Sequence, residues 1–292
     1  MAGAKQAKNS ELKAKIRRGE PIQCRELVFY PIRMAQYEEF LEVQGALLLR
    51  MTSLPVQYLA MPFLSALWAL DWDTYQATGK IVGLFERVIH FLYLSLRLGY
   101  ERKDVLKKIQ FANNGHDFRT IQHIEVEQDG KTVKITPQEF TSYYRPLMAQ
   151  QNGLELPNES FNPELVKAEK DLAAMQSLPL DYNIDDMLAS VAYQSGLANE
   201  SEMDEWTVYQ FERRRSAIER DKRFMLYGQA ELSGMVKFKK GNPFPSWCFN
   251  RAKGMTRALR TVDDVNQNVK AIGNIAVAVN KGGVKTQTTK ST

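Results

Sequence analysis

Along the first half of the chain, apolar residues fall in short runs of strand formers and in stripes spaced by three and four. Ile22 to Tyr30 collects Ile22, Cys24, Leu27, Val28, Phe29 and Tyr30 and stops at Pro31, which predicts one strand. Met34, Tyr37, Phe40, Leu41, Leu47 and Leu48 lie on one helical stripe between Met34 and Met51. Pro55, with Ser53 as a nearby cap, opens a second helix. Pro62 is expected to kink that helix or to start a new one. Asp73-Thr74 begins a third helix running to about Leu98, apolar on nearly every side and therefore central. The character then changes. Lys107–Phe111 and Thr120–Glu127 read as strands, and Thr132, Val133 and Ile135 follow Asp129-Gly130, a strong hairpin signal. Thr136-Pro137-Gln138-Glu139 has the form of a capping box with proline in the first helical position, which predicts a helix to about Gln151.

Residues 152–163 are rich in Pro, Asn and Gly and mark a boundary. Beyond it the pattern is helical: a charged helix over 163–175, a helix over Ile184–Gln194 capped by Asn183 and closed by Gly196, and a longer one capped by Ser201 or Asn199. That longer helix carries Trp206, Tyr209, Phe211, Ile218 and Met225 and ends at Gly234. Met235–Phe238 and the aromatic stretch 242–247 read as extended, and Val262–Val279 as weakly amphipathic. The expected fold class is α+β and mainly helical, with a small antiparallel sheet in the N-terminal half and an all-helical C-terminal module. The expected organisation is a basic tail over 1–18, an α+β body over 19–151, a helical module over 163–250, and a C-terminal helix with a disordered tail over 251–292. Residues 1–10 and 283–292, which offer little to bury, are expected to be mobile.

Charge changes this picture little. The chain has 292 residues, 44% of them hydrophobic, enough for a sizeable core without disulfides. The formal charge of +5 sits in the ends: residues 1–18 carry +5 and residues 281–292 carry +3, which leaves −3 for 19–280. A nucleic-acid binder would place its basic patch on a folded element, so nucleic acid is disfavoured as a partner. The two cysteines, Cys24 and Cys248, fit a reducing compartment, though a bond between them stays open. The most apolar stretch, Ile81–Leu98, contains Glu86, Arg87, His90 and Arg97 and reads as a buried helix rather than a membrane span. With no apolar core in the lysine-rich N-terminus, a secretory signal is not expected, and the protein is expected in the cytoplasm.

No residue constellation argues for catalysis. His90, His116 and His123 have no metal-ligand spacing, Asp185-Asp186 and Asp263-Asp264 suit helix starts, and Thr78-Gly79-Lys80 lacks the rest of a phosphate loop. The expectation is a non-enzyme without metal or cofactor. Arg213, Arg214, Arg215, Arg220, Lys222 and Arg223, interleaved with Glu212, Glu219 and Asp221, read either as a solvated helix face or as a surface for an acidic partner. Candidate partner anchors are Trp206, Tyr209, Phe211, Phe244 and Trp247. Trp206 and Tyr209, three apart, share a face, whereas Phe211 points elsewhere and is a candidate for internal packing.

Two stretches carry a resemblance. One is Arg25-Glu26-Leu27-Val28-Phe29-Tyr30-Pro31-Ile32-Arg33-Met34 with the aromatic-acidic run Ala35-Gln36-Tyr37-Glu38-Glu39-Phe40 behind it. The other is Met203–Gly234, with Trp206-Thr207-Val208-Tyr209-Gln210-Phe211-Glu212 leading a charged helix. Together, over about a fifth of the chain, they resemble the tail assembly chaperones of phages and prophages of Gram-positive bacteria. The resemblance implies a non-enzymatic protein of the host cytoplasm that coats the tape-measure protein, recruits tail-tube subunits and leaves before the tail is complete. Self-association is compatible with it, and so is a structural component retained in the tail or baseplate.

Overall fold

A computed structural model describes residues 2–112, 117–159, 164, 168, 171, 183–234, 238, 242–244 and 246–249. The fold is α+β: helices dominate, and among the described residues two small antiparallel sheets lie in the N-terminal half and helices follow Asn183. The described helices beyond 183 belong to the same compact unit as residues 1–157, and the division between the two compact units falls at 157/158, within the 152–163 stretch. The 163–175 helix, Met235–Phe238 and everything from 250 onward lie wholly or largely outside the described residues.

The basic tail is a helix, α1 (Ala2–Arg18), whose C-terminal end is anchored by Ile16, 2% exposed. Leu12 packs against the same core, and the Gln210 side-chain amide donates to the Arg17 carbonyl at 3.3 Å. The expected single strand is a hairpin of β1 (Ile22–Cys24) and β2 (Leu27–Phe29), paired Ile22↔Phe29 and Cys24↔Leu27. The reversal falls at Arg25, whose φ of 54° turns the chain between two strand-forming triplets. α2 (Tyr37–Leu47) follows a single 3-10 turn and buries Tyr37, Phe40 and Val43.

α3 (Phe63–Thr78) begins directly after Pro62 and runs through Asp73-Thr74, where the sequence suggested a helix start. The break comes instead at Gly79, which caps α3 in the left-handed conformation, and α4 (Leu84–Leu96) starts afresh beyond Gly83. Asp71 joins the two helices. Its carboxylate accepts the backbone N–H groups of Gly83, Leu84 and Phe85 at 3.1, 3.3 and 2.9 Å, which satisfies the N-terminus of α4 from the flank of α3.

After α5 (Arg102–Lys107), strands β3 (Ile109–Ala112), β4 (Asp117–Gln128) and β5 (Lys131–Ile135) form a sheet with β4 central. Asp129 and Gly130, at φ 52° and 74°, make the β4–β5 turn that the dipeptide predicts. The capping box is present: Thr136 accepts from the Glu139 backbone N–H at 3.2 Å, and Glu139 accepts from the Thr136 N–H at 3.1 Å. It opens α6 (Pro137–Glu139), which continues through a π-helical turn over Phe140–Tyr144 into α7 (Arg145–Gln151). Buried Arg145 donates to the carbonyls of Leu47 and Leu49 and lies over the Phe63 ring.

The Thr136 donors and the Arg25 guanidinium hold the Glu139 carboxyl below the usual range. A depressed folded pKa contributes stability above the ordinary glutamate value that is lost as pH falls through the folded one. Glu139→Gln is therefore expected to cost about 1 kcal/mol at neutral pH. Urea unfolding across pH 3–7 checks this, and the variant and parent midpoints are expected to converge at the acid end.

Candidate functional site

The second resemblance stretch folds differently from its expected form. Asn199 caps only a 3-10 segment, Glu200–Glu205. The long helix that follows, α9 (Val208–Leu232; α8 is Ile184–Gln194), is capped by Thr207. Thr207 accepts from the Gln210 backbone N–H at 3.2 Å, and the Gln210 side chain accepts from the Thr207 N–H at 3.0 Å. The run Thr207-Val208-Tyr209-Gln210-Phe211 is thus a capping box, with glutamine as its third helical residue.

This root of α9 is stitched to the first resemblance stretch. The Val208 N–H donates to the Ile32 carbonyl at 2.9 Å and the Met34 N–H to the Trp206 carbonyl at 2.9 Å, around an Arg33↔Thr207 bridge. The Tyr37 hydroxyl donates to Glu212 at 3.2 Å, and burial beside that carboxylate pushes the phenol up to about 12. Asn152 holds the same joint, accepting from the Ile32 N–H at 2.9 Å.

The five candidate anchors separate. Phe211 is a core residue with no exposed surface, its ring 5.4 Å from that of Tyr37, and this corrects its assignment as an anchor. Its direction on the helix points it at α2. Tyr209 is half-buried, and a Cβ placed on Gly153 would lie 3.1 Å from its ring, so it packs along the chain after α7. Trp206 is half-buried beneath the Arg214 guanidinium, 3.9 Å from its ring centre. Phe244 packs on Tyr227 at 4.9 Å with Arg223 at 5.3 Å. Only Trp247 among the five stands mostly in solvent, 61% exposed.

Beyond Phe211, α9 is an arm. Its 25 residues span about 37 Å at the usual helical rise. Val208 and Phe211, in its first turn, are its only buried residues, whereas Met225, Leu226 and Leu232 are exposed. The segment 242–249 lies back along this arm. Asn242 donates to Glu231 at 3.0 Å, Phe244 meets Tyr227, and Arg220 donates to the Trp247 carbonyl at 3.0 Å. Phe249 beside it is exposed. Residues 220, 223, 227 and 231 share one side of the helix. Phe211, Ile218, Met225 and Leu232 recur every seven residues on the other, about 165° away. An apolar stripe therefore leaves the core at Phe211 and continues along the exposed arm. That seven-residue spacing is the signal that identifies Met225 and Leu232, which were not among the expected anchors.

The arginine cluster is largely engaged within the molecule. Arg215 pairs with Glu212 at 2.6 Å and Arg223 with Glu219, while Arg213 and Arg214 lie over Tyr209 and Trp206. His90 stacks on Tyr100 at 4.3 Å, and His123 faces Glu125 at 3.4 Å. Cys24 and Cys248 are both free thiols. Among the described residues no group of His, Cys, Asp or Glu side chains is arranged to hold a metal ion, and no helix is long and apolar enough to cross a membrane. No protein-family model, curated protein or solved structure matches the chain.

Proposed function

We propose that this protein is a non-enzymatic binding protein that captures a helical partner along the exposed length of α9. The observation that carries the reading is the Phe211–Ile218–Met225–Leu232 stripe, rooted in the core at one end and open to solvent at the other. A helix laid against such a stripe would bury anchors at helical spacing, and Trp247 and Phe249, exposed on the opposite side of the arm, offer a second apolar contact to a partner that reaches around α9. The resemblance of residues 25–40 and 203–234 supports a specific role: a tail assembly chaperone that holds the tape-measure protein in the host cytoplasm and recruits tail-tube subunits. Reversible docking on exposed side chains suits a protein that must later leave. The arginines of α9 are already engaged with carboxylates and rings, which favours a protein partner over nucleic acid.

Co-expression with the tape-measure protein tests the proposal. Trp247→Ala and Met225→Asp are expected to retain the parent unfolding midpoint, since both side chains are more than half exposed. Each is expected to weaken co-purification by about 2 kcal/mol or more. Undiminished capture by both variants sinks the arm as the docking surface. Mass analysis of purified particles distinguishes the chaperone, absent from them, from a component retained in the tail or baseplate.

A further inference from the structure

A basic cleft opens where the end of α1 meets the end of α7 and the first turn of α9, and it shares no residue with the apolar stripe of the arm. Lys13, Arg17 and Arg213 line it together with Ser10, Gln150 and the Tyr209 ring, around a volume of about 450 Å³. Its frame is fixed. Ile16 is buried beneath it, and the Gln210 side chain holds the Arg17 carbonyl. Gly19 closes the end of α1 on Thr207 so tightly that a Cβ there would lie 2.9 Å from the Thr207 methyl. Two helices held against each other thus present the three cations: Lys13 and Arg17 from α1, and Arg213 from α9.

Charge selects the occupant. Every charged side chain that lines the cleft is positive. The carboxylates that adjoin these positions in sequence are committed elsewhere: Glu11 pairs with Lys15 at 3.7 Å, Glu20 with Arg18, and Glu212 with Arg215 at 2.6 Å. Lys13, Arg17 and Arg213 have no carboxylate partner among the described residues. The Tyr209 ring, 5.7 Å from the Arg213 guanidinium, steadies that cation without neutralising it. Lys13 and Arg17 stand one helical turn apart, about 6 Å between Cβ atoms, and Arg213 comes from the other helix, so the charge is distributed rather than gathered on one point. That spacing suits several carboxylates in succession, which guanidinium groups accept with two parallel hydrogen bonds. A nucleic-acid backbone needs a basic track that continues, and the residues that would extend this one, Lys15, Arg18 and Arg215, are already paired. We propose that this cleft is a docking site for a short acidic segment of a partner protein, which sets its carboxylates against Lys13, Arg17 and Arg213.

The test uses the full chain and a hexaglutamate peptide carrying a neutral dye, read by fluorescence anisotropy at low ionic strength. Hexaglutamine and single-stranded hexathymidylate, labelled alike, are the comparisons. The expected result is saturable binding of hexaglutamate, none of hexaglutamine, and a loss of about tenfold or more in the double variant Arg17→Glu with Arg213→Glu. Lys103→Glu with Lys131→Glu makes the same change in net charge outside the cleft and is expected to bind as the parent does. Binding is expected to weaken with salt, and less steeply in the cleft variant. Arg17 and Arg213 are exposed, so their variant is expected to unfold with the parent, and a thermal scan checks this. Lys13→Glu, also exposed, is read beside it and is expected to lose severalfold. Trp247→Ala is expected to bind hexaglutamate unchanged, so this test and that of the arm fail separately. Equal losses in the two double variants overturn the proposal, because net charge alone would then account for binding. So does absence of hexaglutamate binding by the parent. Tighter binding of hexathymidylate, abolished in the cleft variant, overturns it as well and assigns the cleft to a nucleic-acid backbone.

Discussion

Phe211→Ala is expected to lower the stability of the folded chain by about 3–5 kcal/mol, the largest loss expected from any single change in α9. The ring is fully buried and begins a line of aromatic contacts that crosses the core: Phe211 to Tyr37 at 5.4 Å, Tyr37 to Phe40 at 6.1 Å and Phe40 to Phe91 at 5.8 Å. Removing it leaves a void between α2 and α9 that neither helix can close. The Val208–Ile32 and Met34–Trp206 hydrogen bonds hold the backbones at their present separation. The same bonds make the loss global, because α9 cannot peel away without exposing Tyr37 and leaving the Ile32 carbonyl without its donor. Denaturant titration is expected to show one transition with a lower midpoint and an unchanged slope. Phe211→Leu, which keeps most of the volume, is expected to lose much less. A midpoint for Phe211→Ala equal to the parent's would show that the ring is not part of the core. The contrast with Trp247→Ala is the useful one: one variant is expected to change stability and the other capture.

The elements most legible in the sequence are those defined by local chemistry. Asp129-Gly130, Thr136-Pro137-Gln138-Glu139, Asn183 and Gly196 each act within one turn of backbone, and the structure shows each in its expected role. Expectations failed where two signals overlapped. Ile22–Phe29 is rich enough in strand formers to hide the turn at Arg25, a residue type that seldom announces a left-handed position. Asp73-Thr74 looks like a helix start, but inside α3 the Thr74 hydroxyl donates to the Leu70 carbonyl at 2.7 Å and Asp73 accepts from the Tyr58 hydroxyl at 2.9 Å, so neither is needed as a cap. Asn199 and Thr207 are both good caps, and it is Thr207, bridged to Arg33 from far along the chain, that begins the long helix.

The candidate anchors follow the same logic. Trp206, Tyr209 and Phe211 cluster in sequence because they build the joint between α9 and residues 32–37, and composition alone does not distinguish a joint from a docking surface. The two resemblance stretches turn out to be the two halves of that joint. They account for how α9 is held, while the stripe beyond Ile218 governs what it is free to touch.

Asp71→Ala is expected to be the most costly change of a polar residue in the body, at about 2–3 kcal/mol. Asp71 is 7% exposed and its two oxygens accept from three successive backbone N–H groups at the start of α4. Alanine leaves those part-buried and buried donors without this partner and removes a polar link between the middle of α3 and the first turn of α4. Burial pushes the Asp71 carboxyl above its ordinary range, and the three N–H donors pull against that push without cancelling it. A raised folded pKa means that the proton binds the folded state more tightly. Its contribution is fully present below the ordinary aspartate value and is lost as pH rises through the folded one. The parent is therefore expected to gain on Asp71→Asn as pH falls from 6 towards 4, the reverse of the convergence expected at Glu139. Paired urea titrations of the parent and of both variants across that range measure the two slopes. A loss of the parent relative to Asp71→Asn towards acid would mean that the three N–H donors outweigh burial and hold the carboxylate ionised. Such a result would leave its capping of α4 intact and reverse only the direction of its titration.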